Sequence, residues 1–195
     1  MTTLKNTEQI KEYWNDYADV FSQEFEYINL EPALTLTRML KLNKAHSIFE
    51  VGCASGDLAL YLLQQLPKSV KFISTDLSES MIELANHKKS GNKGLANKTN
   101  HKFIVADSEN LDFVSDNSFD VFFGAFVIHL VNNPVKVLKE AHRILKMGGR
   151  IGFTVQGKED TCSFFNISTL AFKKFGIEAN TKSSGIALDT KESLT

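Results

Sequence analysis

The 195-residue sequence predicts an α/β protein built on a doubly wound, mostly parallel sheet. Three observations carry that expectation. From residue 47 onward, short apolar runs ending in Gly or Asp alternate with amphipathic segments. The runs are apolar almost throughout, as strands covered on both faces are. The intervals between them are long enough for the crossover helices that parallel neighbours require.

Taken in order, residues 7–22 carry Ile10, Tyr13, Trp14, Tyr17, Val20 and Phe21 at spacings of three and four, an amphipathic helix with an aromatic stripe. A second helix follows Pro32, with Leu34, Leu36, Met39 and Leu40 as its apolar side. SIFEVG from Ser47 is the first strand, and Asp57–Leu66 is a helix stopped by Pro67. VKFISTD is the second strand; the next helix runs from an N-capping Ser78 to about His87. Residues 90–100 are rich in Gly and Asn and predict an exposed loop, whose lysines (Lys88, Lys89, Lys93, Lys98, Lys102) are expected to be solvated. HKFIVAD is the third strand, and SFDVFFGAFVIHL contains the fourth. A helix after Pro134 is expected to stop at Gly148–Gly149, before a fifth strand, RIGFTVQ. Residues 160–175 read as helical and rich in Phe.

This organisation predicts one domain over 1–195: N-terminal helices at 1–44, a ligand-binding core at 45–157, and a helical cap or incomplete C-terminal part at 158–195. Composition sets the outer bounds. Lys and Arg number 22 against 23 Asp and Glu, too balanced for a nucleic-acid footprint. Cys53 and Cys162 form neither a disulfide framework nor metal-ligand spacing, so no metal is expected. No apolar run approaches the roughly 20 residues of a membrane span, and the polar N-terminus lacks a signal-peptide core. The sequence reads as a reduced, soluble, cytoplasmic chain.

In open α/β sheets, ligands bind beyond the carboxyl ends of the strands. The first strand ends in Glu50-Val51-Gly52-Cys53-Ala54-Ser55-Gly56-Asp57. Gly52 and Gly56 allow a tight turn and a close ligand approach. The spacing E-x-G-x-x-x-G places Ala54 where a dinucleotide loop has its central glycine. That disfavours a nicotinamide dehydrogenase and favours a nucleoside without a pyrophosphate. Asp76, ending the second strand, can accept both ribose hydroxyls; the alternative is that it caps the following helix. Asp107, ending the third, can take a bond from an adenine amino group while the next backbone N–H, that of Ser108, meets a ring nitrogen. Its alternative is a strand-end turn.

Together, YWNDYADVF, EVGCASGD, STDLSESMIELA, VADSENLDF, SFDVFFGAFVIHLV and RILKMGGRIGFTV resemble the Rossmann-like class I S-adenosylmethionine-dependent methyltransferases, in the small-molecule branch that includes the ubiquinone and menaquinone C-methyltransferases. The resemblance covers roughly residues 10–157. It implies S-adenosylmethionine as cofactor, with Glu50 and the backbone around Gly52 and Cys53 at its methionine end, Asp76 at the ribose, and Leu77 and Met81 on either side of adenine. Asp107 and Ser108 would read the adenine edge, and Ala125 and Phe126 would lie near the sulfonium. Tyr17 resembles a cofactor-covering tyrosine, or is a core aromatic. Arg38 could pair with the methionine carboxylate, or be solvated. His129, beyond the fourth strand, is the candidate base for a small-molecule acceptor, or hydrogen-bonds the following loop. Cys53 itself reads as a small packed residue.

Members of this family usually continue with a helix and two more strands, so the last strands of their seven-stranded sheet are expected to be missing here. A bare fifth strand would be an exposed edge, which predicts a homo-oligomer or partner, a covering segment from residues 157–195, or reduced stability. The leading expectation is methyl transfer to a small molecule. The alternative is a cofactor-binding, non-catalytic domain that acts through a partner.

Overall fold

The computed structural model describes residues 6–157 apart from 97 and 99, together with residue 174. The elements are α1 (Thr7–Glu24), α2 (Leu30–Met39), β1 (Ser47–Val51), α3 (Asp57–Gln65), β2 (Lys71–Asp76), α4 (Glu79–Gly91), β3 (His101–Val105), β4 (Phe119–Ala125), α5 (Pro134–Ile144) and β5 (Leu145–Thr154). Short 3-10 turns at Glu26–Asn29 and Leu42–Lys44 flank α2.

The sheet order is β3-β2-β1-β4-β5 and every pair is parallel. The chain therefore winds outward from β1 to β3, then crosses back to lay β4 on the other side of β1. That reversal between β1 and β4 is the crevice where open sheets bind ligands. β1 is buried at all five positions, which is why its sequence reads as an unbroken apolar run around one acid. Ile48 packs with α2, α3 and α4 on one face, while Phe49 and Val51 pack with α5 on the other. The predicted α/β doubly wound architecture is thus realised, with five strands among the described residues. The segment 158–195, expected as a helical cap, lies outside the described residues apart from residue 174, and Cys162 lies there too. No helix among the described residues is long and apolar enough to cross a membrane.

Three local expectations need correction. The glycine pair does not stop α5. That helix ends at Ile144, where the N–H groups of Asn117 and Ser118 donate to the carbonyls of Arg143 and Ile144. Gly148, at φ +77, instead sits where the β4–β5 register shifts. Met39, placed on the apolar side of α2, is 75% exposed; Ala33, Leu34, Leu36 and Leu40 form the buried face. Nor are the lysines after α4 uniformly solvated. Lys98 Nζ donates to the Leu63 carbonyl at 2.6 Å and closes the end of α3. Lys89 Nζ donates to the carbonyls of Lys98 and His101. These half-buried ammonium groups satisfy backbone oxygens that the loop would otherwise leave unpaired.

Candidate functional site

A cavity of about 650 Å³ opens at the β1/β4 crevice, bounded by the carboxyl ends of β1–β4 and roofed by α1. Its size falls within the usual range for small-molecule sites. The loop after β1 turns through three left-handed residues, Gly52 (φ +65), Ala54 (φ +49) and Gly56 (φ +86). Both glycines serve packing as well as the turn. A Cβ on Gly52 would come within 2.5 Å of Val127 Cγ2, and one on Gly56 within 2.7 Å of Phe103 Cζ. Gly52, Cys53 and Ala54 line the cavity, whereas Gly56 lies behind the loop against Phe103 and Ala85.

Asp76 ties two loops together. One oxygen accepts the Ala54 N–H at 2.8 Å, the other the Ser78 N–H at 3.0 Å. Ser78 in turn caps α4 by accepting the Met81 N–H. Asp76 thus fixes the glycine loop against β2 as well as the turn into α4. Burial pushes its carboxyl above the usual range, opposed by the N–H groups of Ser78, Ala54 and Leu77. Leu77 and Met81 line the same wall. Asp107 closes the turn anticipated for it, accepting the Glu109 N–H at 2.8 Å; Asp107 and Ser108 both line the cavity.

Glu50 is buried, accepts the Ser74 hydroxyl at 2.6 Å, and lines the cavity. Burial pushes it up to about 8; the Ser74 hydroxyl pulls against this, and the carboxyls of Glu26 and Asp76 add to it. Cys53 is buried with its thiol pushed well up by burial, which fits a packed residue rather than a nucleophile.

Beyond β4, Ala125 and Phe126 reach the cavity. Phe126 holds φ +56, a conformation rare for an aromatic residue, and its N–H donates to both the carbonyl and the hydroxyl of Thr154. His129 is 4% exposed, lines the cavity, and its Nδ1 has no hydrogen-bond partner. Burial lowers its pKa, so it is neutral at pH 7.

Besides Gly56, two further sequence candidates fall elsewhere. Tyr17 stacks in a ring ladder with Tyr13, Trp14, Phe21 and Phe25 and is not among the lining residues, although Tyr13, Trp14 and Phe21 are. Arg38 is exposed, beside Glu31 and Thr35. Among the lining residues that the sequence did not single out, Glu26 makes the most side-chain polar contacts. Glu26, between α1 and α2, is buried, with Oε1 accepting the Asp57 N–H at the start of α3 and Oε2 bonded to the Ser55 hydroxyl. Lys88 Nζ lies 3.5 Å away and completes the cluster with Asp57 at 2.6 Å. Its only sequence signal is an acid set between two aromatics, Phe25 and Tyr27, at a helix junction.

The lining therefore includes six carboxyl groups, Glu26, Glu50, Asp57, Asp76, Asp107 and Glu109, and no Lys or Arg among the described residues, with Lys88 paired to Glu26 and Asp57 from outside the lining. Between the carboxylates lie Leu77, Met81, Trp14 and Phe126. Such a cavity suits a nucleoside that carries positive charge. No group of His, Cys, Asp and Glu among the described residues could hold a metal ion.

These features define a class I methyltransferase fold. Residues 49–153 match the family described as methyltransferase domain, more than half of the chain, and the protein belongs to that family, whose cofactor is S-adenosylmethionine. Among individual relatives, it is 34% identical over 156 residues to the ubiquinone/menaquinone biosynthesis C-methyltransferase UbiE of Rickettsia prowazekii, covering 75% of this chain and 62% of that one. It is 30% identical over 154 residues to the demethylmenaquinone methyltransferase of Lactococcus lactis, covering 76% and 59%. The chain thus spans less than two thirds of the length of these relatives. Among solved structures, the [4+2]-cyclase SpnF superposes with a TM-score of 0.67 at 17% identity, over 78% of this chain and 61% of that one, a likeness of fold.

Proposed function

We propose that this chain binds S-adenosylmethionine in the β1/β4 crevice and transfers its methyl group to a small, uncharged acceptor. The observation that carries the reading is the lining itself: six carboxyl groups converge with apolar and aromatic surface on one cavity, without a lining cation among the described residues. When bound, the cofactor supplies an electrophilic methyl group on a sulfonium. Asp76 accepts the ribose hydroxyls with the lone pairs its two backbone N–H donors leave free. Leu77 and Met81 cover the adenine, and the Asp107–Ser108 turn reads its edge. Glu50 and the loop at Gly52 and Cys53 face the ammonium end. Ala125, Phe126 and Trp14 exclude water around the reacting centre, where aromatic faces favour positive charge.

His129, neutral and with an unpartnered Nδ1, is the group placed to take a proton from the acceptor. An anionic acceptor would meet carboxylates rather than counter-ions, so a neutral one is favoured. The ubiquinone/menaquinone C-methyltransferase and demethylmenaquinone methyltransferase among its relatives suggest a quinone-type ring methylated at carbon.

Calorimetric titration with S-adenosylhomocysteine of the wild type, Asp76→Asn and His129→Gln tests the assignment. Asp76→Asn should weaken binding about tenfold, or about 1.4 kcal/mol. His129→Gln should bind as the wild type does, while losing single-turnover methyl transfer to a demethylquinol. No binding by folded wild-type protein would sink the cofactor site. Binding without transfer to any acceptor would favour the non-catalytic alternative.

A further inference from the structure

Behind Glu50 lies a buried polar chain that the proposed reaction does not itself use. Glu50 on β1, Ser74 on β2 and His101 on β3 are all at most 2% exposed. Ser74 Oγ is 2.6 Å from Glu50 Oε2 and 3.0 Å from His101 Nε2. The register accounts for the alignment, because Glu50 pairs with Ser74 and Ser74 with Phe103, placing His101 two residues back on the same face. Phe72 and Phe103 clamp the imidazole edge-on at 4.8 and 4.4 Å and fix its plane.

With Glu50 ionised, the donor inventory sets the direction. Ser74 has one hydroxyl proton, which the Glu50 carboxylate takes, so Ser74 accepts from His101 and Nε2 carries the hydrogen. That tautomer leaves Nδ1 as a bare acceptor, consistent with its having no partner. A neutral imidazole is the state burial enforces, with its pKa lowered to about 3 and the Lys89 ammonium adding to the effect.

We propose that His101, acting through Ser74, is a positioning residue that aims two successive hydrogen bonds at Glu50 and holds it as the carboxylate that receives the ammonium of the cofactor. The proposal rests on the cofactor reading above. Its consequence is proton linkage. Without a cation, burial and the facing carboxyls of Glu26 and Asp76 keep Glu50 protonated near neutrality, while the neighbouring Cys53 thiol stays neutral. Cation binding reverses this and expels the proton. The relay eases that ionisation because both of its bonds favour the charged form.

The test is calorimetry with S-adenosylhomocysteine from pH 6 to 8.5, in phosphate and Tris buffers, on the wild-type chain and variants. The wild type should release about one proton per ligand at pH 7 and bind more tightly as pH rises, and Glu50→Gln should abolish both effects. His101→Phe, which keeps an aromatic ring between Phe72 and Phe103, should weaken binding at pH 7 about five- to tenfold. It should also move the pH midpoint up by about one unit. His101→Gln, which restores a donor, should recover most of the loss. Should His101→Phe fail to fold, Ser74→Ala makes the same cut in the relay. Wild-type affinity and midpoint in the His101→Phe or Ser74→Ala variant would overturn the proposal, as would equal losses in the Phe and Gln variants, which would mark a packing role. If the folded wild type binds no S-adenosylhomocysteine, the cofactor reading itself has failed.

Discussion

On the strand-end wall of the cavity, Asp76 is gripped by the amides of Ala54 and Ser78, and Glu50 by Ser74, all anchored in the sheet or the caps of its helices. Across the opening, Tyr13, Trp14 and Phe21 hold one another through ring contacts at 5.3 and 5.4 Å, on a helix whose buried residues are Ile10 and Ala18. One wall is built from directional bonds and a left-handed loop, the other from dispersion between half-exposed rings. The first is expected to be rigid and intolerant of change, the second adaptable. A few polar links cross between them: Asn15 accepts the Ser78 hydroxyl, Ser22 and Ser55 share a hydrogen bond, and Glu26 carries a carboxyl group from the helical wall to the start of α3.

The largest effect should come from the loop. Gly56→Ala forces a side chain into φ +86 and drives a Cβ to 2.7 Å from Phe103 Cζ and 3.0 Å from Ala85 Cβ, both in buried elements. A loss of about 3 kcal/mol is expected in urea unfolding. On the helical wall, Trp14→Leu removes half-buried surface and ring contacts and should cost about 1 kcal/mol. Similar losses at the two sites would break the contrast.

A second, smaller effect depends on pH. The carboxyl of Glu50 sits at about 8 in the folded chain against an ordinary 4.5, so the fold binds that proton more tightly than the unfolded chain does. Its contribution to stability is complete below pH 4.5 and is lost as pH rises toward 8. Glu50→Gln copies the protonated form, and should therefore match the wild type at acid pH yet gain roughly 1–3 kcal/mol at pH 8. His101 acts on the other limb. Its folded value of about 3 lies below the ordinary 6.5, so its contribution is present above pH 6.5 and is lost as pH falls toward 3. Thermal unfolding across pH reads both limbs. A Glu50→Gln variant that is no more stable than the wild type at pH 8 would remove the cost assigned to the buried, ionised carboxyl.

The contrast also explains what the sequence could and could not reveal. Strand-end residues are legible because each short apolar run stops at residues that line the crevice: Glu50 and Gly52 at the end of β1, Asp76 closing β2, Asp107 just beyond β3. Their chain positions define their spatial neighbours once the sheet is parallel. Helix boundaries were less legible where tertiary contacts override propensity. The amides of Asn117 and Ser118 end α5 before its glycine pair, and backbone carbonyls recruit Lys89 and Lys98 out of solvent. Glu26 was invisible because its partners, Ser55, Asp57 and Lys88, lie 29 to 62 residues further on, and no periodicity encodes such a bond. The relay was hidden for a similar reason: Ser74 and His101 read as ordinary strand residues until the register aligns them with Glu50.

The smallest expected effect concerns what the helical wall contributes to recognition. S-adenosylmethionine and S-adenosylhomocysteine differ by the methyl group and by the positive charge on sulfur, so the two share every contact to ribose and adenine. Trp14 lines the cavity in edge contact with Phe21 and Tyr13, half-buried and uncharged. If its face meets the sulfonium, replacing it by Leu removes a cation–π attraction of about 0.5–1 kcal/mol. Binding of S-adenosylmethionine should then weaken about two- to fivefold, while that of S-adenosylhomocysteine stays within error of the wild type. Equal weakening of both ligands would assign Trp14 to packing over the nucleoside. No change in either would show that the adaptable wall contributes shape rather than charge recognition, leaving the sulfonium to the carboxylates and Phe126.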